Sequence, residues 1–151
     1  MVNNQKSKKM KKLVFLLVAV ASVSFANAQK VSEKEVPAVV KSALQKSHSN
    51  AKDLKWEKEK SNYEAGFEVG ETDYSVLIDA SGKILETEME IKINKLPANA
   101  KAYVAKHYAG QKIKEAAKIT DSKGVVTYEA EVKGKDLIFD NSGKFLKEVK
   151  D

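Results

Sequence analysis

Few residues in this chain could do chemistry, and they are scattered. There are two histidines, His48 and His107, and no cysteine. Neither histidine has a second histidine or a carboxylate at ligand spacing, so the pair does not read as a metal site. Each falls near the end of a helical pattern, where an imidazolium suits the helix dipole. Asp79-Ala80-Ser81-Gly82 and Asp140-Asn141-Ser142-Gly143 resemble half of a calcium loop. A full loop needs further oxygen ligands and a glutamate at position twelve, and here Lys83 and Lys144 instead place a positive charge beside the aspartate. They read as turns. Glu86, Glu88 and Glu90 stand at every second position. Paired carboxylates could exchange protons with a substrate, but this spacing also describes the solvated face of a strand. No Gly-x-Ser-x-Gly elbow, Walker loop or His-Glu-x-x-His occurs. The expectation is a protein that is not an enzyme and holds neither cofactor nor metal.

The two Asp-x-Ser-Gly-Lys turns carry the organisation of the chain. Aspartate at the head of a type I turn caps the turn's backbone, and glycine at its fourth position takes the left-handed conformation that closes a hairpin. Apolar runs enter each turn (Val76-Leu77-Ile78, Leu137-Ile138-Phe139) and leave it (Ile84-Leu85, Phe145-Leu146). Before the first tip, Ser32-Glu33-Lys34-Glu35 has the form of a capping box, and apolar residues at helical spacing run over 36–47. Alternating patterns follow over 54–59, 63–69, 74–78 and 84–93. Leu96-Pro97 restarts the series: a helical pattern ends at Gly110, then strands are expected over 113–120, 125–132, 136–140 and 145–149. Tyr128-Glu129-Ala130 echoes Tyr63-Glu64-Ala65. The fold class expected is α+β: a tandem repeat of two α-β4 units, with an antiparallel sheet of about eight strands backed on one face by two helices.

The first segment belongs to targeting. Lys6, Lys8, Lys9, Lys11 and Lys12 precede an apolar run over 13–25 and the small-x-small site Ala26-Asn27-Ala28. This is the form of a secretory signal peptide over residues 1–28, cleaved after Ala28. The run is shorter than the roughly 20 apolar residues a spanning helix needs, so no stable membrane insertion is expected after cleavage. The remainder divides into a first repeat over 29–95 and a second over 96–151. It carries 22 lysines against 21 acidic residues and no arginine. Near-neutral charge without guanidinium forks argues against nucleic acid as a partner. A periplasmic or secreted location is expected.

Tandem units opening Val36-Pro37 and Leu96-Pro97, a lysine-bearing helix, a Tyr-Glu-Ala strand and an Asp-x-Ser-Gly-Lys tip together resemble the PepSY-like, β-lactamase-inhibitor-like exported proteins. The resemblance spans residues 36–149. It implies a helix-backed, curved antiparallel sheet whose open face grips a partner.

Register then nominates a face. If Asp79 closes on Lys83, Ile78 lies across from Ile84 and Leu77 across from Leu85. One face holds Leu77, Leu85, Thr87, Met89 and Ile91 and suits the core beneath the helices. The other holds Tyr74, Val76, Ile78 and Ile84, with Leu137, Phe139 and Phe145 as their equivalents in the second repeat. This apolar strip, rimmed by Glu86, Glu88 and Lys147, is the expected partner-binding face. Its alternatives are burial by a curling sheet or a homodimer seam, and a one-residue register slip would exchange the two faces. Lysine at Tyr74 and Phe139 is then expected to leave the fold intact. The function expected is an exported binding module that engages an envelope or extracellular protein and inhibits a hydrolase. The alternatives are a periplasmic small-ligand or envelope-stress carrier and a structural homo-oligomer such as a homodimer.

Overall fold

A computed structural model describes residues 29–150; the expected signal peptide, residues 1–28, lies outside the described residues. The duplicated turns form as their chemistry requires. Asp79 Oδ1 accepts hydrogen bonds from Ser81 N (2.9 Å), Ser81 Oγ (2.6 Å) and Lys83 N (3.0 Å). Asp140 Oδ1 accepts from Ser142 N (2.9 Å), Ser142 Oγ (2.6 Å) and Lys144 N (2.9 Å). These bonds lower the pKa of both carboxyls. Asp121 repeats the device, accepting from Lys123 N and Val125 N at 2.8 and 2.9 Å.

Between such turns the chain makes one antiparallel sheet whose strands pair in chain order. The first half contains β1 (Gln29–Val31), α1 (Ala38–Ser47), β2 (Lys52–Glu59), β3 (Asn62–Val69), β4 (Thr72–Asp79) and β5 (Ile84–Glu90). The second contains α2 (Ala98–His107), β6 (Ile113–Asp121), β7 (Val126–Val132), β8 (Lys135–Asp140) and β9 (Phe145–Lys150). The two α-β4 units are therefore present, with nine strands instead of about eight. The extra one is β1, too short to carry a period, which pairs Val31 with Trp56.

Both helices start later than the apolar pattern suggests. Pro37 and Pro97 are the N-caps, and the Ser32/Glu35 capping box closes a 3-10 turn at Glu33–Glu35 ahead of α1. Ile93 likewise opens a 3-10 turn at Ile93–Lys95 and is exposed, so it does not prolong β5. Each helix buries only two side chains of its own, Val40 and Leu44 in α1, Ala100 and Val104 in α2. Each half has its own core. Val40 and Leu44 pack with Trp56, Tyr63, Ala65, Phe67, Val76 and Ile78; Ala100 and Val104 pack with Ala116, Ala130, Val132, Leu137 and Phe139.

The tips seat the helices. Gly82 (φ +87°) lies against Val39, and Gly143 (φ +83°) against Pro97, Asn99 and Ala100. Asn99 Nδ2 also donates to Ser142 O at 3.0 Å. A Cβ on Gly143 would lie 2.7 Å from Ala100 N, a backbone atom that cannot swing away. Gly124 has the same handedness (φ +80°) with open space around it. Gly143→Ala is therefore expected to cost about 2–3 kcal/mol, against about 1 kcal/mol for Gly124→Ala, which carries the conformational penalty alone. Urea unfolding midpoints of the two variants check this; equal losses would remove the helix contact from the account.

Candidate partner-binding face

The structure places all seven residues of the expected apolar face beneath the helices. Val76, Ile78, Leu137 and Phe139 are fully buried. Tyr74 stacks on Phe67 (5.5 Å between centroids) beside His48. Ile84 packs against the α1 core, and Phe145 stacks on Tyr103 at 4.4 Å. The physical reason is a β-bulge in each tip hairpin. Ile78 does pair with Ile84, but Leu77 pairs with Glu86, leaving Leu85 as the extra residue. In the second repeat Phe139 pairs with Phe145 while Ile138 pairs with Lys147, across Leu146. Thr87 and Met89 therefore share a face with Val76 and Tyr74, and Leu77 points the other way.

His48 is the C-cap of α1 and rests on Phe67 and Tyr74; burial lowers its pKa, favouring the neutral ring over the cation expected at a helix end. His107 stacks on Tyr103 at 4.2 Å. Among the described residues no group of three or more His, Cys, Asp or Glu is arranged to hold a metal ion.

The uncovered face can be read from the register. One row across it runs Glu57, Glu64, Leu77, Glu86 and Asp121. The next runs Gly66, Ser75, Glu88, Ile119 and Thr127. A third runs Glu90, Ala117, Glu129, Ile138 and Lys147. This face is concave. Lys147 of β9 acts electrostatically on Glu86 of β5, four strands away. Leu77, Ile119 and Ile138 point away from both helices and are nevertheless buried, so the sheet curls toward this side. The curl also encloses the floor: Glu64, Glu88, Glu129 and Asp136 are 7%, 4%, 7% and 3% exposed, beside Leu77, Ile119 and Ile138.

Glutamate at such sites resists ionisation. Burial pushes Glu64 up to about 7, with Glu57, Glu59 and Glu86 adding to the rise, although Ser75 Oγ donates to its Oε1 at 2.6 Å. Burial and then Asp121 push Glu86 up to about 7 against the opposing pull of Lys147. Glu88 is pushed well above the usual carboxylate range by burial and then by Glu129, Glu86, Glu64 and Asp136. Its Oε1 is buried without a hydrogen-bond partner. Glu86 and Glu88 thus do not form a solvated strand face. Glu64 and Glu129, the middle residues of the two Tyr-Glu-Ala copies, were open to detection. A charged residue flanked by core residues, at the same place in both repeats, is a signal.

The family profile described as "Putative beta-lactamase-inhibitor-like, PepSY-like" matches residues 23–86 and again 63–147. No curated protein matches the chain. Among solved structures, a "putative periplasmic protein" of Bacteroides eggerthii superposes with a TM-score of 0.69 at 16% identity, covering 75% of this chain and 87% of that one. A DUF2874 family protein of Bacteroides uniformis gives 0.67 at 20% identity, covering 74% and 87%. A BLIP-like protein of Bacteroides fragilis gives 0.61 at 27% identity, covering 74% and 84%. No helix among the described residues is long and apolar enough to cross a membrane. With the profile matched twice along it and its helix-backed sheet shared by these structures, the chain belongs to the PepSY-like, beta-lactamase-inhibitor-like family.

Proposed function

We propose that the protein is an exported binding module that engages an envelope or extracellular protein through its concave sheet face, inhibiting a hydrolase where that partner is one. The observation that carries this is the curled, uncovered face itself. Burying carboxyls on a surface the helices do not cover costs stability, and such a cost is expected where a surface serves binding. The likeness to a BLIP-like protein supports the inhibitory form. Thr127 sits at the half-buried edge of this face, in the row with Ile119 and Glu88. Thr127→Trp should place a ring over the floor while leaving both cores untouched. Crosslinking pull-down of residues 29–151 from the native envelope fraction should capture a partner with the unmodified chain and with Lys101→Glu on α2. Thr127→Trp should lose it. A partner that survives Thr127→Trp and is lost with Lys101→Glu would transfer the function to the helices.

A further inference from the structure

Charge is sorted in this molecule although residues 29–151 carry 22 lysines against 21 acidic residues. Exposed lysines stand on the helices, Lys46 in α1 and Lys106 in α2 among them. On the concave face, β3 to β8 present carboxylates and neutral side chains at every paired position. The cations facing this side stand outside that span or at its rim. Lys30 and Lys55 lie on β1 and β2 and Lys147 on β9, while Lys114 reaches Glu131 (2.9 Å) from a bulge in β6. Among the described residues, the middle of the concavity is therefore an acidic floor without an interior cation. Glu88 marks its centre. It is 4% exposed, one carboxyl oxygen has no hydrogen-bond donor, and its electrostatic neighbours are all carboxyls from β3, β5, β7 and β8.

We infer that the partner segment this face receives is cationic, a lysine- or arginine-bearing strand or loop laid across β3 to β8. The inference rests on the binding role proposed above and names the chemistry of its partner. Carboxyls crowded in one concavity repel one another, and a guest ammonium or guanidinium relieves that repulsion while supplying the missing donors. An anionic or purely apolar guest would deepen the cost.

A consequence in pH follows. Glu64 and Glu86 are pushed up to about 7, so both hold protons for part of the time near neutrality. A cation binds the ionised form and drives those protons off, so affinity should rise with pH. The other charges facing the pair are Glu57 and Glu59 on β2, Glu88 on β5, Asp121 on β6 and Lys147 at the rim, while Glu129 on β7 and Asp136 on β8 act on Glu88. The carboxylates among them disfavour the ionised pair and Lys147 favours it, and a guest cation favours the ionised form in either company, which leaves the sign unchanged.

The test titrates residues 29–151 with a lysine octapeptide and, separately, a glutamate octapeptide, followed by amide chemical shifts and calorimetry at low salt. The lysine peptide should shift amides in β3 to β8 and bind about tenfold more tightly at pH 8 than at pH 6, a step of about 1.4 kcal/mol. Glu64→Gln/Glu86→Gln, isosteric and checked by circular dichroism, should bind it at least tenfold more weakly and lose the pH dependence. Binding that is unchanged in this variant, or shifts confined to the helices, would overturn the inference. So would self-association of the unmodified chain abolished by the same variant, because the face would then receive a second copy. If the lysine peptide fails while the envelope partner is still lost with Thr127→Trp, the binding face stands and only its cationic preference falls. If Thr127→Trp also keeps the partner, both fall.

Discussion

Replacing Phe139 by alanine is expected to lower the free energy of unfolding by about 3–5 kcal/mol. The ring is fully buried and meets Tyr103 edge-on at 5.7 Å and Phe145 at 6.0 Å. The helix above it buries only Ala100 and Val104, so little else could fill the space. Lysine at this position would be worse, since it would bring an ammonium into the apolar cluster that includes Ala100, Val104 and Leu137. The reading of Phe139 as part of an exposed strip implies the opposite, a substitution close to neutral. Leu146 supplies the comparison. It is the bulge residue of the same hairpin and is 50% exposed, so Leu146→Ala should stay within about 0.5 kcal/mol. Urea unfolding of both variants decides the matter. Similar midpoints for the two would return Phe139 to the surface and reverse the assignment of faces.

The halves, the tips and the two helices were legible because their signals are local. An aspartate, a serine and a glycine within five residues specify the tip's hydrogen bonds without help from the rest of the chain. The identity of the faces depends on register, which those signals do not carry past a bulge. A leucine in a bulge looks like a leucine in a ladder, and Leu85 and Leu146 both hide the shift. The remedy lay one strand earlier. Tyr63, Ala65 and Phe67 alternate cleanly with Glu64, Gly66 and Glu68, and they pair with Ile78, Val76 and Tyr74. Reading β4 against β3 puts Val76 on the aromatic face and Leu77 beside Glu64. Burial of the glutamates was beyond pattern reasoning, because alternation of polar and apolar residues reports sides of a sheet and says nothing of its curl.

Stability should fall between pH 5 and pH 8, by roughly 3 kcal/mol or more. In the folded chain Glu64 and Glu86 have pKa values near 7, against 4.5 for the exposed side chain. Over that interval the folded state holds protons the unfolded chain has lost. The stability these groups contribute is thus complete below about pH 4.5 and disappears as pH rises through 7. A rise of this size corresponds to roughly 3 kcal/mol for one group. The two do not simply add, because Glu86 is itself among the causes of the shift at Glu64. Glu88, shifted in the same direction, steepens the fall. In more acid solution the sign reverses: Asp79, Asp140 and Glu148 have lowered pKa values, and their contribution is lost as they are protonated. A maximum near pH 5 should therefore separate two declining limbs. Urea unfolding at unit steps from pH 2 to 8 would show it, and Glu64→Gln/Glu86→Gln should flatten the alkaline limb while leaving the acid one in place. A wild-type chain whose stability holds level or climbs between pH 5 and 8 would mean that these carboxyls are solvated, and the concave floor would no longer explain why the face exists. The same linkage makes the partner experiment sharper. A cationic segment that satisfies the floor should restore stability most at pH 8, where the unliganded protein has lost most.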